Sequence, residues 1–165
     1  MKTVILCRHA KSDWPEMTAD IDRPLKERGK EDAAYLAGLL ADQQFVPDLI
    51  ISSPARRAQE TAEIYRSKLG YSKEIRTVRS VYYEELGSLI QMIQGVEDEV
   101  SSLMVFGHNP TMENAVRYLL QMDTPFDMPT CGMACFESLS NQWKSFGPRQ
   151  VYLRWLLIPR LKRKD

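Results

Sequence analysis

Short apolar segments rich in β-branched residues alternate along this chain with amphipathic segments of helical period. The predicted strands are residues 2–7, 48–52, 74–78, 102–106, 133–138 and 150–157. The predicted helices are residues 26–43, 53–69 and 86–94, with a further helix after Pro110. Strands that alternate with helices in this way predict a three-layer α/β/α sandwich built on a mixed, mainly parallel sheet.

The helix of residues 53–69 has signals at both ends. Ser53-Pro54 is typical of an N-cap followed by proline at the first helical position, so we expect the helix to begin there. Gly70 follows the last apolar residue of the helical pattern and predicts its end.

The length of 165 residues fits one hydrophobic core, and we expect residues 1–165 to form a single domain. No apolar run approaches the roughly 20 residues of a membrane span, and the apolar segment before Arg8 is too short for a signal-peptide core. These features predict a cytoplasmic protein with no membrane partner. Its oligomeric state is not determined by the sequence.

Charge and cysteine usage exclude two further classes. Lys plus Arg and Asp plus Glu both total 22, so no global positive field attracts nucleic acid. The three cysteines, Cys7, Cys131 and Cys135, include no second ligand pair at zinc spacing. We therefore predict reduced, packed thiols and no metal site. The basic segment from Arg160 is interpreted as a solvated tail, with a basic docking arm as the alternative.

Polar and cationic side chains follow three of the predicted strands. Strand one is followed by Arg8-His9, strand two by Ser52-Ser53 with Arg57 one turn into the next helix, and strand four by Gly107-His108-Asn109. Ligands of open α/β sheets bind beyond the carboxyl ends of the strands. Two imidazoles and two guanidinium groups gathered there without an anion would leave charges unpaired. We therefore expect a pocket for an oxyanion.

Phosphate is the anion that fits these residues best, because guanidinium groups offer planar forks of donors to a tetrahedral group with several oxygens. In a site rich in histidine and poor in metal ligands, an imidazole nitrogen can attack phosphorus in line, and water can then hydrolyse the phosphohistidine. This chemistry requires no metal and no cofactor.

Three motifs carry a resemblance to a known family. Arg8-His9-Ala10, the segment Ser53-Pro54-Ala55-Arg56-Arg57-Ala58-Gln59-Glu60-Thr61 and Gly107-His108-Asn109-Pro110 occur in this order. Together they resemble the histidine phosphatase (phosphoglycerate-mutase-like) superfamily, and within it the SixA-type phosphohistidine phosphatases. The segment Asp22-Arg23-Pro24-Leu25, followed by Glu27-Arg28-Gly29, also looks like the SixA-type pattern. The resemblance implies a phosphoglycerate-mutase-like fold.

The resemblance also implies roles for particular residues. His9 would be the phosphorylated nucleophile, Arg8, Arg57 and His108 would hold the phosphoryl oxygens, and Ser12 would add a hydrogen bond. Alignment of the Ser-Pro-x-x-Arg-Ala motif selects Arg57 over Arg56, and about 100° of helix rotation separates the two.

This chain departs from the family at two positions. Ala10 stands where most members have glycine, and it disfavours a positive φ. Lys11 stands where relatives often have Glu or Gln. Its side chain would either add a positive charge at the pocket mouth or be solvated.

Esters need their leaving alkoxide protonated, and Glu84 and Glu85 are the candidate general acids, ahead of Asp13 and Asp22. A labile P–N bond needs no strong acid, so we expect the substrate to be phosphohistidine on a protein. The alternatives are a small-molecule phosphomonoesterase or mutase acting on a phosphorylated metabolite through the same nucleophile, and a non-catalytic phosphate-binding module.

Overall fold

The computed structural model describes residues 1–83 and 85–159. Its strands are β1 (Lys2–Arg8), β2 (Leu49–Ser52), β3 (Arg76–Thr77), β4 (Ser102–Gly107), β5 (Met133–Ser138) and β6 (Val151–Leu157). Its helices are α1 (Glu27–Asp42), α2 (Arg56–Leu69), α3 (Ser80–Tyr83), α4 (Leu86–Gln94) and α5 (Thr111–Leu120). Two short 3-10 turns cover Asp20–Asp22 and Trp143–Ser145.

The six strands form one sheet in the order β3-β2-β4-β1-β5-β6. Strands β1 to β4 are parallel, β5 runs antiparallel to β1, and β6 runs antiparallel to β5. The α/β sandwich with a mixed, mainly parallel sheet is therefore confirmed.

Helices cover both faces of the sheet because successive strand residues point to opposite sides. Val4 and Leu6 of β1 belong to a core cluster with residues of α4 and α5. Ile5 and Cys7 belong to a second cluster with residues of α1 and α2. The three cysteines are free and buried, as the sequence predicted.

Two predicted boundaries are wrong. The second helix begins at Arg56, because Ser53 still bonds its N–H to the carbonyl of Phe106 and its hydroxyl accepts the Ala55 N–H in a local turn. The third strand covers only two residues instead of 74–78. After its N–H bonds to the Ser52 carbonyl, Val78 turns the chain into α3, which the sequence did not predict.

The parallel register aligns the ends of the strands. Arg8 pairs with Gly107 in the sheet register, and Ser52 pairs with both Phe106 and Thr77. The loops after β1, β2, β3 and β4 therefore leave the sheet at one edge. Among the described residues, no helix is long and apolar enough to cross a lipid bilayer.

Candidate active site

A pocket of about 250 Å³ lies at this edge of the sheet. It is lined by Arg8, His9, Lys11, Ser12, Arg23, Arg57, His108, Asn109 and Thr130. Four of these side chains are cationic, and none of the described residues that line the pocket is a carboxylate. The pocket therefore has the electrostatic character of an anion site.

His9 lies directly after β1, with its side chain buried in the pocket. Its Nδ1 is 2.7 Å from the carbonyl oxygen of Ala10, which can only accept, so Nδ1 carries the proton. The lone pair of the neutral ring is consequently on Nε2. Arg57 donates from Nε to this atom over 3.4 Å.

Both imidazoles are held neutral. Burial lowers the pKa of His9 from 6.5 to about 4, the Ala10 carbonyl partly opposes this shift, and the Arg57 and Arg8 charges add to it. Burial likewise lowers the pKa of His108 to about 3, with a further contribution from His9. At neutral pH the Nε2 atom of His9 is therefore unprotonated, as a nucleophile requires.

His108 follows β4 and meets His9 across the pocket. The centroids of the two rings are 5.1 Å apart. Its Nε2 shares a hydrogen bond of 2.7 Å with the Ser53 hydroxyl at the end of β2. Residues far apart in the chain thus converge because three parallel strands end side by side.

Arg8 is anchored by the loop between α5 and β5. It donates from Nη1 to the carbonyl of Met128 over 2.7 Å, and Asn109 donates to the same oxygen over 2.9 Å. Glu113 fixes this arrangement, since its carboxylate accepts from Asn109 and from the Met128 N–H. The loop after α5 therefore sets the position of the guanidinium.

Three buried polar atoms of pocket residues are unsatisfied. Arg8 Nε, His108 Nδ1 and Asn109 Oδ1 have no hydrogen-bond partner among residues 1–83 and 85–159. Buried polar groups are nearly always paired in native proteins. The Arg8 Nε–H can only donate, so an anion in the pocket would satisfy it.

Arg57 extends from the first turn of α2 into the pocket, and its side chain is only 7% exposed. Its neighbour Arg56 is 58% exposed and pairs with Glu60 on the helix surface. The structure therefore places Arg57, and not Arg56, beside His9.

Asp20 organises the cationic side of the pocket. Arg57 donates to its carbonyl over 2.7 Å and to its carboxylate over 3.1 Å. Arg23 donates to the same carboxylate over 3.1 Å, and the Tyr82 hydroxyl donates over 2.6 Å. The Tyr82 hydrogen bond, together with Arg23 and Arg57, lowers the pKa of Asp20 to about 2, so it stays ionised.

Sequence reasoning missed both Asp20 and Tyr82. Asp20 lies in a polar loop whose local sequence gives no signal of its position. Tyr82 could have been found, because α3 follows β3 at the same sheet edge that led to the other residues.

The other candidate residues are placed as follows. Ser12 lines the pocket, and its hydroxyl accepts from Arg23 over 2.9 Å. Lys11 is exposed and also lines it. Glu85 is exposed at the start of α4 and does not line the pocket. Glu84 and the basic segment from Arg160 lie outside the described residues.

Comparison with known proteins agrees with this geometry. The model of the histidine phosphatase superfamily (branch 1) matches residues 4–80. An uncharacterised protein of Mycobacterium tuberculosis is 31% identical over 163 residues, which cover 93% of this chain and 99% of that protein. A protein assigned as the phosphohistidine phosphatase SixA in Agrobacterium tumefaciens has 30% identity and a TM-score of 0.81 over 96% of this chain and 98% of its own.

The chain belongs to the histidine phosphatase superfamily. The protein histidine phosphatase SixA complexed with tungstate shares the fold, with a TM-score of 0.80 at 22% identity over 94% of this chain and 96% of its own. Membership of the histidine phosphatase superfamily supports phosphatase activity for this chain, through a histidine nucleophile.

Proposed function

We propose that this protein hydrolyses phosphohistidine on a protein, through a phosphohistidine intermediate on His9 and without a metal or cofactor. The observation that carries the proposal is the environment of the His9 Nε2 atom. It bears a lone pair, faces the Arg57 guanidinium and lies in a pocket shared with His108 and Arg8.

The first step transfers the phosphoryl group to the enzyme. His9 Nε2 attacks phosphorus in line, its bond to phosphorus forms, and the P–N bond of the substrate breaks. The leaving imidazole nitrogen keeps the bonding electron pair and takes a proton from water. Arg8, Arg57, His108 and Ser12 bind the phosphoryl oxygens, where preorganised donors stabilise the charge of the transition state.

The second step returns His9 to its starting state. Water attacks the phosphorus of the phosphoenzyme, the bond to Nε2 breaks, and inorganic phosphate leaves. The Nδ1–H bond to the Ala10 carbonyl holds the ring orientation in both steps, because it fixes which nitrogen faces the substrate.

The preference for a P–N bond is supported by the protonation state of the carboxylate that lies at the pocket among the described residues. Asp20 is the carboxylate bound to Arg57 at the pocket, and with a pKa of about 2 it carries no proton to donate near neutral pH. An alkoxide leaving group needs such a proton, whereas an imidazole nitrogen is protonated more easily. The similarity to the Agrobacterium SixA protein points the same way.

The substrate is tested by turnover of three compounds at equal concentration: a phosphohistidine peptide, p-nitrophenyl phosphate and a sugar phosphate. We expect kcat/KM to be highest for the peptide. A preference for the sugar phosphate over the peptide would overturn the phosphohistidine assignment and favour a phosphomonoesterase. The p-nitrophenyl ester reports phosphoryl transfer alone, because its leaving group departs without a proton. The variants Glu84→Gln and Glu85→Gln should leave peptide turnover unchanged, since no carboxylic acid is required.

The nucleophile is tested with radiolabelled substrate and rapid quenching in alkali, which preserves phosphohistidine. The wild type should trap label on one peptide containing His9, and His9→Ala should abolish both the label and turnover. Substantial turnover by His9→Ala would place the nucleophile elsewhere. Binding of phosphate without turnover by the wild type would indicate a non-catalytic module.

A further inference from the structure

Three large apolar side chains stand exposed on segments that adjoin the cationic pocket, although the protein buries most of its other large apolar residues. Trp14 is 61% exposed, Tyr83 is 59% exposed and Met17 is fully exposed. Single exposed apolar residues are ordinary, but a group beside a functional site is typical of an interaction surface.

Contacts tie two of these residues to the pocket. The Trp14 ring stacks on Arg23 at 4.2 Å, and the Tyr83 ring packs edge-on against Tyr82 at 4.5 Å. Arg23 and Tyr82 bind the two carboxylate oxygens of Asp20 from either side. Trp14 and Tyr83 therefore flank the Asp20 carboxylate, each one side chain away from it.

Met17 lies in the loop that joins Ser12 to Asp20. Both ends of this loop are held by Arg23, through the Ser12 hydroxyl and the Asp20 carboxylate. The backbone of Met17 has a φ of 59°, a left-handed conformation that is unfavourable for a bulky residue. Glycine or asparagine would suit this backbone better.

The charged groups near Trp14, Met17 and Tyr83 indicate which kind of partner surface would bind there. Lys11 and Arg23 line the mouth of the pocket, and Arg79 lies 5.7 Å over the Tyr83 ring. The carboxylates of Asp13 and Asp20 are paired with Lys26 and with Arg23 and Arg57. Glu16 and Glu85 are exposed and do not line the pocket, so the excess of positive charge lies at the pocket mouth. An acidic surface with apolar side chains complements this combination.

We propose that Trp14, Met17 and Tyr83 form a docking surface for the polypeptide around the phosphorylated residue, and that the surface selects acidic and apolar flanking residues. This inference rests on the proposed function, since the phosphohistidine must enter the pocket. Binding energy from residues remote from the reacting bond then contributes to kcat/KM.

Three substrates test the docking surface: free phosphohistidine and two peptides with a central phosphohistidine, flanked by Glu and Leu in one and by Gly and Ser in the other. The wild type should prefer the acidic, apolar peptide by about tenfold in kcat/KM, the contribution of one or two interface residues. Met17→Glu and Tyr83→Ala should remove this preference and leave turnover of free phosphohistidine unchanged. Leu139→Ala is the control, because Leu139 is 70% exposed and follows β5 at the opposite sheet edge.

Met17→Gly separates docking from folding. The glycine relieves the left-handed strain, so the thermal midpoint should stay the same or rise while the peptide preference falls. An unchanged preference in Met17→Gly, or equal losses for the peptides and for free phosphohistidine, would overturn the docking surface.

The remaining outcomes distinguish failure of the docking surface from failure of the proposed function. If all three substrates are hydrolysed with no preference, the docking surface is wrong and the proposed function stands. If none is hydrolysed, the proposed function itself fails. Co-sedimentation with phosphatidylglycerol vesicles that Met17→Glu abolishes would assign the surface to a lipid and overturn the polypeptide partner.

Discussion

Arg57 donates from Nε to Nε2 of His9 across 3.4 Å, and it uses both of its Nη atoms to hold Asp20. The guanidinium is thus fixed on one side by the backbone carbonyl and the ionised carboxylate of Asp20, and it presents its Nε–H to the proposed nucleophile. This arrangement keeps a positive charge at the atom where a phosphoryl group would be transferred.

The neighbouring arginines provide a matched test of this position. Arg57→Ala should lower kcat by about 10²-fold or more, because it removes a preorganised donor from a developing charge. Arg56→Ala should change kcat little, since Arg56 is exposed and bound only to Glu60 on its own helix. Steady-state kinetics with a phosphohistidine peptide measures both. The reverse order of effects would show that the chemistry does not take place beside His9.

Asp20 should act on rate through Arg57. Asp20→Ala removes the carboxylate that accepts from Arg57 Nη2, while Nη1 keeps its bond to the backbone carbonyl of residue 20. We therefore expect kcat to fall about tenfold as the guanidinium loses part of its fixed orientation. KM should stay equal or decrease, because a negative charge beside an anion site is removed. Asp22→Ala is the control within the same 3-10 turn, with an exposed side chain that does not line the pocket. Equal kcat values for both variants would remove Asp20 from a positioning role.

The low pKa values of the two histidines can be measured directly, because His9 and His108 are the only histidines in the chain. NMR titration of their ring nitrogens should give a pKa of about 4 for His9 and about 3 for His108, against an ordinary value of 6.5. His108→Gln assigns the two signals. A titration of either ring near 6.5 would contradict its neutral, buried state.

The same shifts predict how stability depends on pH. Between about pH 4 and 6.5 the unfolded chain binds more protons than the native one, so the free energy of unfolding must decrease as pH falls through this window. Thermal midpoints measured from about pH 7 to about pH 5 should therefore decline in the wild type. The decline should be shallower in His9→Gln/His108→Gln, and a parallel decline would exclude the histidines as its cause.

Gly29 allows α1 to approach the loop after His9 closely. A Cβ at this position would lie 2.2 Å from the carbonyl oxygen of Lys11. Gly29→Ala should therefore reduce the free energy of unfolding by roughly 1–3 kcal/mol and lower activity, because the Lys11 backbone must move. Gly38→Ala in the same helix meets nothing within 4 Å and should stabilise by up to about 1 kcal/mol. Urea denaturation compares the two variants.

Prediction from sequence succeeded where a short segment carries its own signal. The short apolar runs at residues 2–7 and 102–106 predicted two buried strands, which are parallel neighbours in the sheet. His9 and His108, which follow these strands, lie in one pocket. The start of α2 was wrong because Ser53 continues the hydrogen bonding of the sheet edge, which a local N-cap signal does not reveal. Helix boundaries depend on such contacts as much as on propensity.

The sequence by itself determined the alternation of strands and helices and the residues that follow each strand, because hydrophobic period and strand ends are local properties. Only the tertiary structure decided that Asp20 and Tyr82 meet Arg57, since these three side chains come from separate segments and no local pattern couples them. The tertiary structure also decided that His9 is neutral with its lone pair on Nε2. That state results from burial and from one backbone carbonyl, and both exist only once the chain has folded.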